Sequence, residues 1–220
     1  MSDILGKILG NPARVKIMRF FLLNPEKSFE IKEIINRARA SGELVKKEIR
    51  LLESISFLKQ KKIVIEIEQK TQKARKRGKH PSAKKKTKTK TKKVIGFFLN
   101  QDFPYNETFR ILLSQDNTLR KDEILKTFKP TGKIKLLLVS GVFIGRPEAR
   151  ADLLIVGDNL NKRLIEDKIR AIESDLGREL SYSVFETSEF LYRLNMYDKL
   201  IQEILNFPHE KIVDMIKLEA

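Results

Sequence analysis

Residues 63–100 read IVIEIEQKTQKARKRGKHPSAKKKTKTKTKKVIGFFLN, and this segment is the most informative one about the architecture of the first half of the 220-residue chain. Residues 63–68 alternate apolar and acidic side chains, which predicts a half-buried β-strand, and residues 94–100 predict a second strand of similar length. Between them, residues 69–93 carry thirteen Lys or Arg and no Asp or Glu. We therefore predict a β-hairpin with a long basic tip. We expect the tip to be disordered, because like charges repel and no large apolar side chain is present to be buried.

Three helical patterns precede the hairpin. Residues 4–22 carry apolar side chains at helical spacing, with Asn11-Pro12 opening the second segment. After this pattern, Ser28 is predicted to cap the N-terminus of a short helix, the second of the three. Residues 43–60 predict a longer third helix. Its inward-facing stripe is Val45, Ile49, Leu52, Ile55 and Leu58.

The outward face of the third helix begins with polar and basic side chains. A helix with basic residues in its first two turns suits insertion into the DNA major groove, where Lys and Arg reach phosphates and Arg can reach a guanine edge. The alternative is that these charges only solvate an exposed helix face, and the helix alone does not decide between the two. The candidate DNA-binding residues are Ser41, Glu43, Lys46, Lys47 and Arg50 on the helix, and Lys73, Arg75, Lys76, Arg77, Lys79, Lys84, Lys85 and Lys86 on the hairpin tip.

The order of three helices and then two strands predicts a winged helix-turn-helix whose basic wing lies along the DNA backbone. Residues 10–34 (GNPARVKIMRFFLLNPEKSFEIKEI) and 41–64 (SGELVKKEIRLLESISFLKQKKIV) resemble ArsR-type winged-helix regulators. The closest resemblance is to the branch that carries a nucleotidyltransferase-like domain behind the wing. In that branch the wing ends in Leu-Asn-x-x-Phe-Pro, which is matched by residues 99–104 (LNQDFP).

The second half of the chain predicts a small α/β layer, which makes the whole protein α+β. The expected elements are two connecting helices (108–113 and 119–128), strands at 134–139, 152–156 and 180–185, a helix at 164–176 capped by Gly177, and a long helix at 188–206. The expected domains are a winged helix-turn-helix domain over residues 1–103, a helical connector over 104–132 and the α/β layer over 133–220.

Three phrases of this layer resemble the minimal nucleotidyltransferase domain of the same branch: LLLVSGVFIG (136–145), ADLLIVGD (151–158) and GRELSYSVFETSEFLYRL (177–194). The resemblance implies a Gly-Ser phosphate cradle and two aspartates that bind divalent metals. Here Ser140-Gly141 replaces Gly-Ser, and Arg150 stands where the first aspartate is expected, with Asp152 at the second. A guanidinium repels a metal ion, so we expect no enzyme activity and no metal or other cofactor.

What remains is a vestigial nucleotide site, made of Ser140, Gly141, Gly145, Arg150 and Asp152. One interpretation is a sensor in which Arg146 and Arg150 meet a phosphate. Another is that these residues form a structural turn whose arginines pair with Glu148 or Asp152. A third is that the layer is an interaction module. The amphipathic tail from residue 194 onward suits an interface, or packing on its own domain. His209 is expected on the surface at a helix start.

Composition limits the function classes. The formal net charge is +16, yet residues 1–68 contribute only +5 and residues 94–220 contribute −2, so the excess belongs to the hairpin tip. The absence of Cys excludes disulfides and thiolate metal sites, and two His are too few for a His-based zinc cage. No apolar run is long enough to span a membrane and no signal-peptide pattern opens the chain. We expect a cytoplasmic protein.

The predicted function is DNA binding, as a transcriptional regulator, with double-stranded DNA as partner and no membrane partner. Two alternatives stay open: binding of RNA through the lysine-rich arm, and nucleic-acid-directed nucleotidyl transfer. A homodimer is also an open alternative, because many winged-helix regulators bind two half-sites as dimers.

Overall fold

The computed structural model describes residues 4–68, 89–115 and 121–218. These form an α+β protein with two small sheets, as the sequence predicts. The described helices are α1 (Ile4–Ile8), α2 (Pro12–Leu22), α3 (Ile31–Ala38), α4 (Gly42–Ser54), α5 (Asn106–Gln115), α6 (Lys121–Phe128), α7 (Lys162–Leu176), α8 (Thr187–Asn195) and α9 (Lys199–Asn206). The strands are β1 (Phe29–Glu30), β2 (Leu58–Glu68), β3 (Thr89–Leu99), β4 (Lys133–Val139), β5 (Leu153–Asp158), β6 (Tyr182–Glu186) and β7 (Glu210–Asp214).

The N-terminal sheet is antiparallel, with strand order β1-β3-β2. Its hairpin runs from the pair Leu58–Leu99 to the pair Glu68–Thr89. The base of the hairpin packs on α2, α3 and α4 around one apolar cluster, in which Phe21, Val45 and Phe57 are fully buried. The cluster is built from the apolar stripes of these helices, which explains why the stripes recur at helical spacing.

The third helix is shorter than predicted, because α4 ends at Ser54 and the prediction extended it to residue 60. Ser56 adopts a left-handed φ of 62°, and Ile55, assigned to the inward stripe, is 49% exposed. Leu58 is buried, but as the first residue of β2 opposite Leu99. A helical and a strand pattern overlap at residue 58. The strand forms because β3 supplies a hydrogen-bonding partner along its whole length.

Two other N-terminal expectations are wrong. Ser28 does not cap α3, since β1 lies between them and Glu30 precedes the helix without a side-chain cap. Residues 89–93 of the predicted disordered tip belong to β3, where Lys93 pairs with Val64 and Lys92 with Ile65. The alternating Thr and Lys residues of this segment suit a strand when a partner strand is beside them. Residues 69–88 lie outside the described part of the chain.

The C-terminal sheet has strand order β6-β5-β4-β7, in which only the β5–β6 pair is parallel. Helix α7 makes the connection between β5 and β6. Both faces of the sheet are covered. Leu137 packs in the cluster that includes α6 and α7, while Leu136 and Leu138 pack in the cluster that includes α8 and α9. Gly177 caps α7 with a φ of 74°, as predicted.

The tail of the chain differs from the prediction in two ways. The single helix expected over 188–206 is two helices, α8 and α9. They are separated at Tyr197, which has a φ of 51°, and Asp198 caps α9. His209 precedes strand β7, which pairs with β4, and does not begin a helix. The amphipathic tail packs on its own sheet, because Ile201 and Ile204 are buried there.

The two halves meet where α2 and α3 pack against α7. The guanidinium of the buried Arg19 donates hydrogen bonds to the carbonyl oxygens of Leu113, at 2.9 Å, and Asp175, at 2.5 Å. A Cβ at position 177 would lie 3.0 Å from backbone atoms of Arg19 and Phe20. The left-handed cap of α7 therefore also lets its backbone approach α2 closely.

Candidate nucleic-acid interface

Four of the five contact residues that the sequence predicts for the third helix lie in α4, and the fifth, Ser41, directly precedes it. Ser41 precedes the helix, and its Oγ accepts a hydrogen bond from the N–H of Leu44 at 3.4 Å. Its hydroxyl therefore caps the helix, which is a structural role that the sequence prediction did not assign to it. Glu43 lies exposed in the first turn, where a carboxylate interacts favourably with the helix dipole.

A buried carboxylate sets the rotation of α4. Glu48 is 2% exposed and accepts hydrogen bonds from Arg14 Nε at 2.7 Å and Asn11 Nδ2 at 3.2 Å. Both donors lie at the start of α2. Because Glu48 faces α2 and the apolar stripe faces the core, the opposite side of α4 is left to solvent.

That opposite side is basic. Lys46, Lys47 and Arg50 are all exposed, and none of them makes an ion pair within the described residues. Charges that have no acidic partner on their own protein are free to meet an external anion. The predicted exposure of these three side chains is therefore confirmed.

The hairpin extends this basic surface. Directly opposite residues of an antiparallel pair project to the same face, and side chains alternate along each strand. By this register, Lys62 and Lys93 lie on the face that continues from the buried pair Leu58–Leu99, which packs with α4. Both lysines are exposed. Beyond the helices, the core-facing side of the hairpin is thus basic, but it also carries the exposed apolar side chains of Val64 and Ile95, which lie opposite these lysines.

The other face of the hairpin is also basic. Lys61 is exposed, with its Nζ 4.8 Å from the centre of the Phe98 ring, and Lys92 is exposed as well. Lys61 and Lys62 were missed as contact candidates. The signal that points to them is the basic segment KQKK at 59–62, which forms the first part of β2. The tip candidates, from Lys73 to Lys86, lie outside the described residues.

The residues predicted to form a vestigial nucleotide site are arranged differently. Asp152 is 6% exposed, and both of its carboxylate oxygens accept backbone hydrogen bonds: Oδ1 from Val142 at 2.9 Å and Oδ2 from Ser181 at 2.8 Å. Gly141 has a φ of 55°, and a Cβ at that position would overlap Oδ1 of Asp152. The glycine thus allows the carboxylate to lie directly against the loop that follows β4.

The other residues predicted for this site do not converge on Asp152. The Ser140 hydroxyl donates to the carbonyl oxygen of Pro208 at 2.6 Å. Arg150 is 65% exposed and pairs with Glu203 at 3.4 Å, so the expectation that it pairs with Glu148 or Asp152 is wrong. Gly145 and Arg146 lie on the exposed surface. The turn brings Gly141 and Asp152 together and leaves Arg150 outside.

This arrangement does not fit the divalent metal pair that the resemblance implies. Two metal ions need several carboxylate oxygens directed at a shared point, whereas Asp152 is buried and Arg150 stands in place of the second carboxylate that the resemblance implies. No group of three or more His, Cys, Asp or Glu is placed to hold a metal ion anywhere in residues 4–68, 89–115 and 121–218.

Comparison with known proteins adds no relative. No protein-family model matches the chain, and neither a curated protein nor a solved structure matches it significantly. Within the described ranges, no helix is long and apolar enough to cross a membrane.

Proposed function

We propose that the protein binds double-stranded DNA as a transcriptional regulator, and that its N-terminal half is a winged helix-turn-helix. In this proposal α4 is the recognition helix and the β2–β3 hairpin is the wing. The C-terminal layer is a nucleotidyltransferase-like fold without catalytic function. The observation that carries the proposal is the exposed face of Lys46, Lys47 and Arg50 beside a hairpin that is basic on both faces.

The arrangement of elements supports the assignment. The order of α2, β1, α3, α4 and then the β2–β3 hairpin, with sheet order β1-β3-β2, is compatible with a winged helix. Beyond Glu43 in its first turn, the exposed side of α4 carries Lys46, Lys47 and Arg50, so these side chains can enter a groove while the hairpin lies along the backbone.

Electrostatics divides the roles of the two basic surfaces. Lysines of the hairpin contact phosphates, which fix position but carry no sequence information. Discrimination between sequences therefore rests on α4, above all on Arg50, whose guanidinium can make paired hydrogen bonds to guanine. Binding of this kind weakens steeply as salt increases, because phosphate contacts release counterions.

The test is a DNA-binding titration of the Lys46→Ala/Lys47→Ala/Arg50→Ala variant at several salt concentrations. We expect the affinity to fall by about tenfold or more, and the slope of log affinity against log salt to become shallower by about 3. The matched control is Lys162→Ala/Arg163→Ala/Arg170→Ala, which removes the same charge from the exposed side of α7. Equal affinities for the two variants would contradict the role of α4.

The RNA alternative is decided by competition. A lysine-rich hairpin binds any polyanion, whereas a helix shaped for the major groove of duplex DNA does not enter the narrow major groove of duplex RNA. We expect duplex DNA to displace labelled duplex DNA better than structured RNA of equal length does. Better displacement by RNA would favour the RNA alternative.

The enzyme alternative is decided by incubation with labelled nucleoside triphosphates and magnesium or manganese. We expect no transfer of label, because Asp152 is engaged by backbone N–H groups and Arg150 occupies the position of the other carboxylate. Label transfer that disappears in Asp152→Asn would overturn this part of the proposal.

A further inference from the structure

Strand β2 has one edge without a partner. In the sheet order β1-β3-β2 it is the outermost strand, and no other strand of the described residues pairs with its far side. It is 11 residues long. An edge of this length presents a row of backbone N–H and C=O groups that another strand can bind, and proteins usually shorten, cover or pair such edges. The edge of β2 is therefore a candidate interaction surface.

The hydrogen bonds of the hairpin show which residues of β2 face this open edge. The N–H of Asn100 donates to the carbonyl oxygen of Phe57 at 2.9 Å, one position before the pair Leu58–Leu99. Hydrogen-bonded and non-hydrogen-bonded pairs alternate along an antiparallel ladder. The odd-numbered residues of β2 therefore bond to β3, and the even-numbered residues direct their N–H and C=O groups to the open edge.

Charge is separated along β2. Its charged residues are basic in the first half and acidic in the second: Lys59, Lys61, Lys62, Glu66 and Glu68. Between them lies the apolar segment 63–65, in which Val64 is 61% exposed. Opposite charges on directly facing residues stabilise an antiparallel pair, and like charges destabilise it. A strand that is basic at one end and acidic at the other is thus complementary to a copy of itself that runs in the opposite direction.

We propose that β2 pairs with β2 of a second copy of this chain, antiparallel, about a two-fold axis at residue 64. In this register Val64 faces its own equivalent. Lys62 lies opposite Glu66 of the second copy, and Gln60 lies opposite Glu68. All of these positions are even-numbered, so their free backbone groups can complete the ladder in both directions. The two three-stranded sheets then join into one continuous sheet.

The charges select this register over its neighbours. With the axis at residue 63, Lys62 would lie opposite Val64, and with the axis at residue 65, Val64 would lie opposite Glu66. The axis at residue 64 instead places lysine opposite glutamate and valine opposite valine. Lysines on an edge oppose pairing with an arbitrary strand. A strand with a carboxylate at the facing position is accepted, and β2 itself is such a strand.

The other edge of the hairpin does not offer this complementarity. Strand β1 pairs only with Gly96 and Phe97, so residues 89–95 of β3 also have an open side within the described structure. This segment reads TKTKKVI and contains lysines but no carboxylate, so it repels a second copy of itself. Self-association through the hairpin is therefore specific to β2. Pairing through this edge leaves both faces of the hairpin and the basic side of α4 open, so the proposal does not rest on DNA binding.

The first test is sedimentation equilibrium of the full chain without DNA, in which we expect a monomer–dimer equilibrium. Lys62→Glu should raise the dissociation constant of the dimer about tenfold or more, because a symmetric dimer then contains two like-charge pairs. Glu66→Lys should do the same. The double variant restores opposite charges and should return to within about threefold of the unsubstituted chain. Circular dichroism checks that each variant folds.

The two single variants are matched controls for net charge, because Lys62→Glu lowers it and Glu66→Lys raises it. If general repulsion between basic chains governed association, the two variants would shift the equilibrium in opposite directions. Opposite shifts, or dimerisation unchanged by either substitution, would overturn the proposed interface.

The second test locates the two-fold axis by cross-linking. The chain has no Cys, so one introduced Cys reports on one position. Val64→Cys places two thiols across the axis, where the Cα atoms of a hydrogen-bonded pair are about 5.5 Å apart, within the range of a disulfide. We expect a disulfide-linked dimer under mild oxidation. Ile95→Cys is the control, because Ile95 is 55% exposed on the same face of the hairpin but belongs to β3, and it should stay largely monomeric.

The proposal is overturned if the chain stays monomeric up to about 100 μM or if the two Cys variants cross-link equally. It is also overturned if the double charge variant fails to recover dimerisation, because the register then differs. Neither test contains DNA, so their failure would leave the DNA-binding proposal standing, and loss of DNA binding would not affect them.

Discussion

The charged side chains on α4 and the carboxylate of Asp152 differ in whether other groups of the protein bind them. On α4, three cations point to solvent and have no acidic partner among the residues that the structure describes. The carboxylate of Asp152 is buried, and each of its oxygens accepts a hydrogen bond from a backbone N–H group. A charge that its own protein satisfies contributes to stability, and a charge left unsatisfied at the surface is available for a partner. Substitutions on α4 should therefore change the binding of a partner, whereas substitutions at Asp152 should change the stability of the fold.

The largest expected effect is on Asp152. Asp152→Ala leaves the N–H groups of Val142 and Ser181 without acceptors, so we expect the free energy of unfolding to fall by about 3 kcal/mol. Urea denaturation measures it. Arg150→Gln is the control, since its ion pair with Glu203 is exposed, and it should change stability by less than about 0.5 kcal/mol. Equal losses in both variants would remove the contrast.

The next effect tests whether the halves are joined through a close backbone contact. Gly177→Ala and Gly145→Ala both place a side chain at a φ of 74°. At Gly145 nothing lies within 4 Å, whereas at Gly177 the new Cβ meets the backbone of α2 at 3.0 Å. We expect a loss of about 1 kcal/mol at Gly145 and about 2 kcal/mol or more at Gly177. Thermal denaturation of the two variants should separate these costs.

The smallest effect concerns Asp214 in β7. Burial raises the pKa of this carboxyl, but hydrogen bonds from Lys211, Leu218 and Lys217 and the Lys211 charge lower it by more, so the pKa lies below its usual value. A lowered pKa in the folded state stabilises the protein above the unfolded pKa of about 3.9, and this contribution is lost as the pH falls through the folded value.

We therefore expect Asp214→Asn to lower the free energy of unfolding by less than about 1 kcal/mol at pH 7, and by progressively less as the pH falls below about 4. Denaturation at a series of pH values measures the difference between the two proteins. A difference that grows on acidification would contradict the assignment.

Local patterns predicted much of the fold. The buried positions Val45, Ile49 and Leu52 of α4, the strand character of residues 63–68 and the glycine that caps α7 are each encoded within a few residues, and each is confirmed. The errors fall where two local patterns compete. Leu58 suits a helix or a strand, and β3 beside it selects the strand. Tyr197 lies in an amphipathic run, yet the chain turns there because α8 and α9 pack on one face of a sheet.

In the candidate sites, too, some features follow from local sequence patterns and others depend on tertiary contacts. Local sequence is enough to locate the basic charge and to show which α4 residues face away from the apolar stripe, because helical periodicity fixes the face of each side chain. The directions of Asp152 and Arg150, and the strand order that leaves β2 at the edge of its sheet, arise only when the chain is folded. The physical reason is that these features depend on contacts between segments distant in the chain, which no local pattern records.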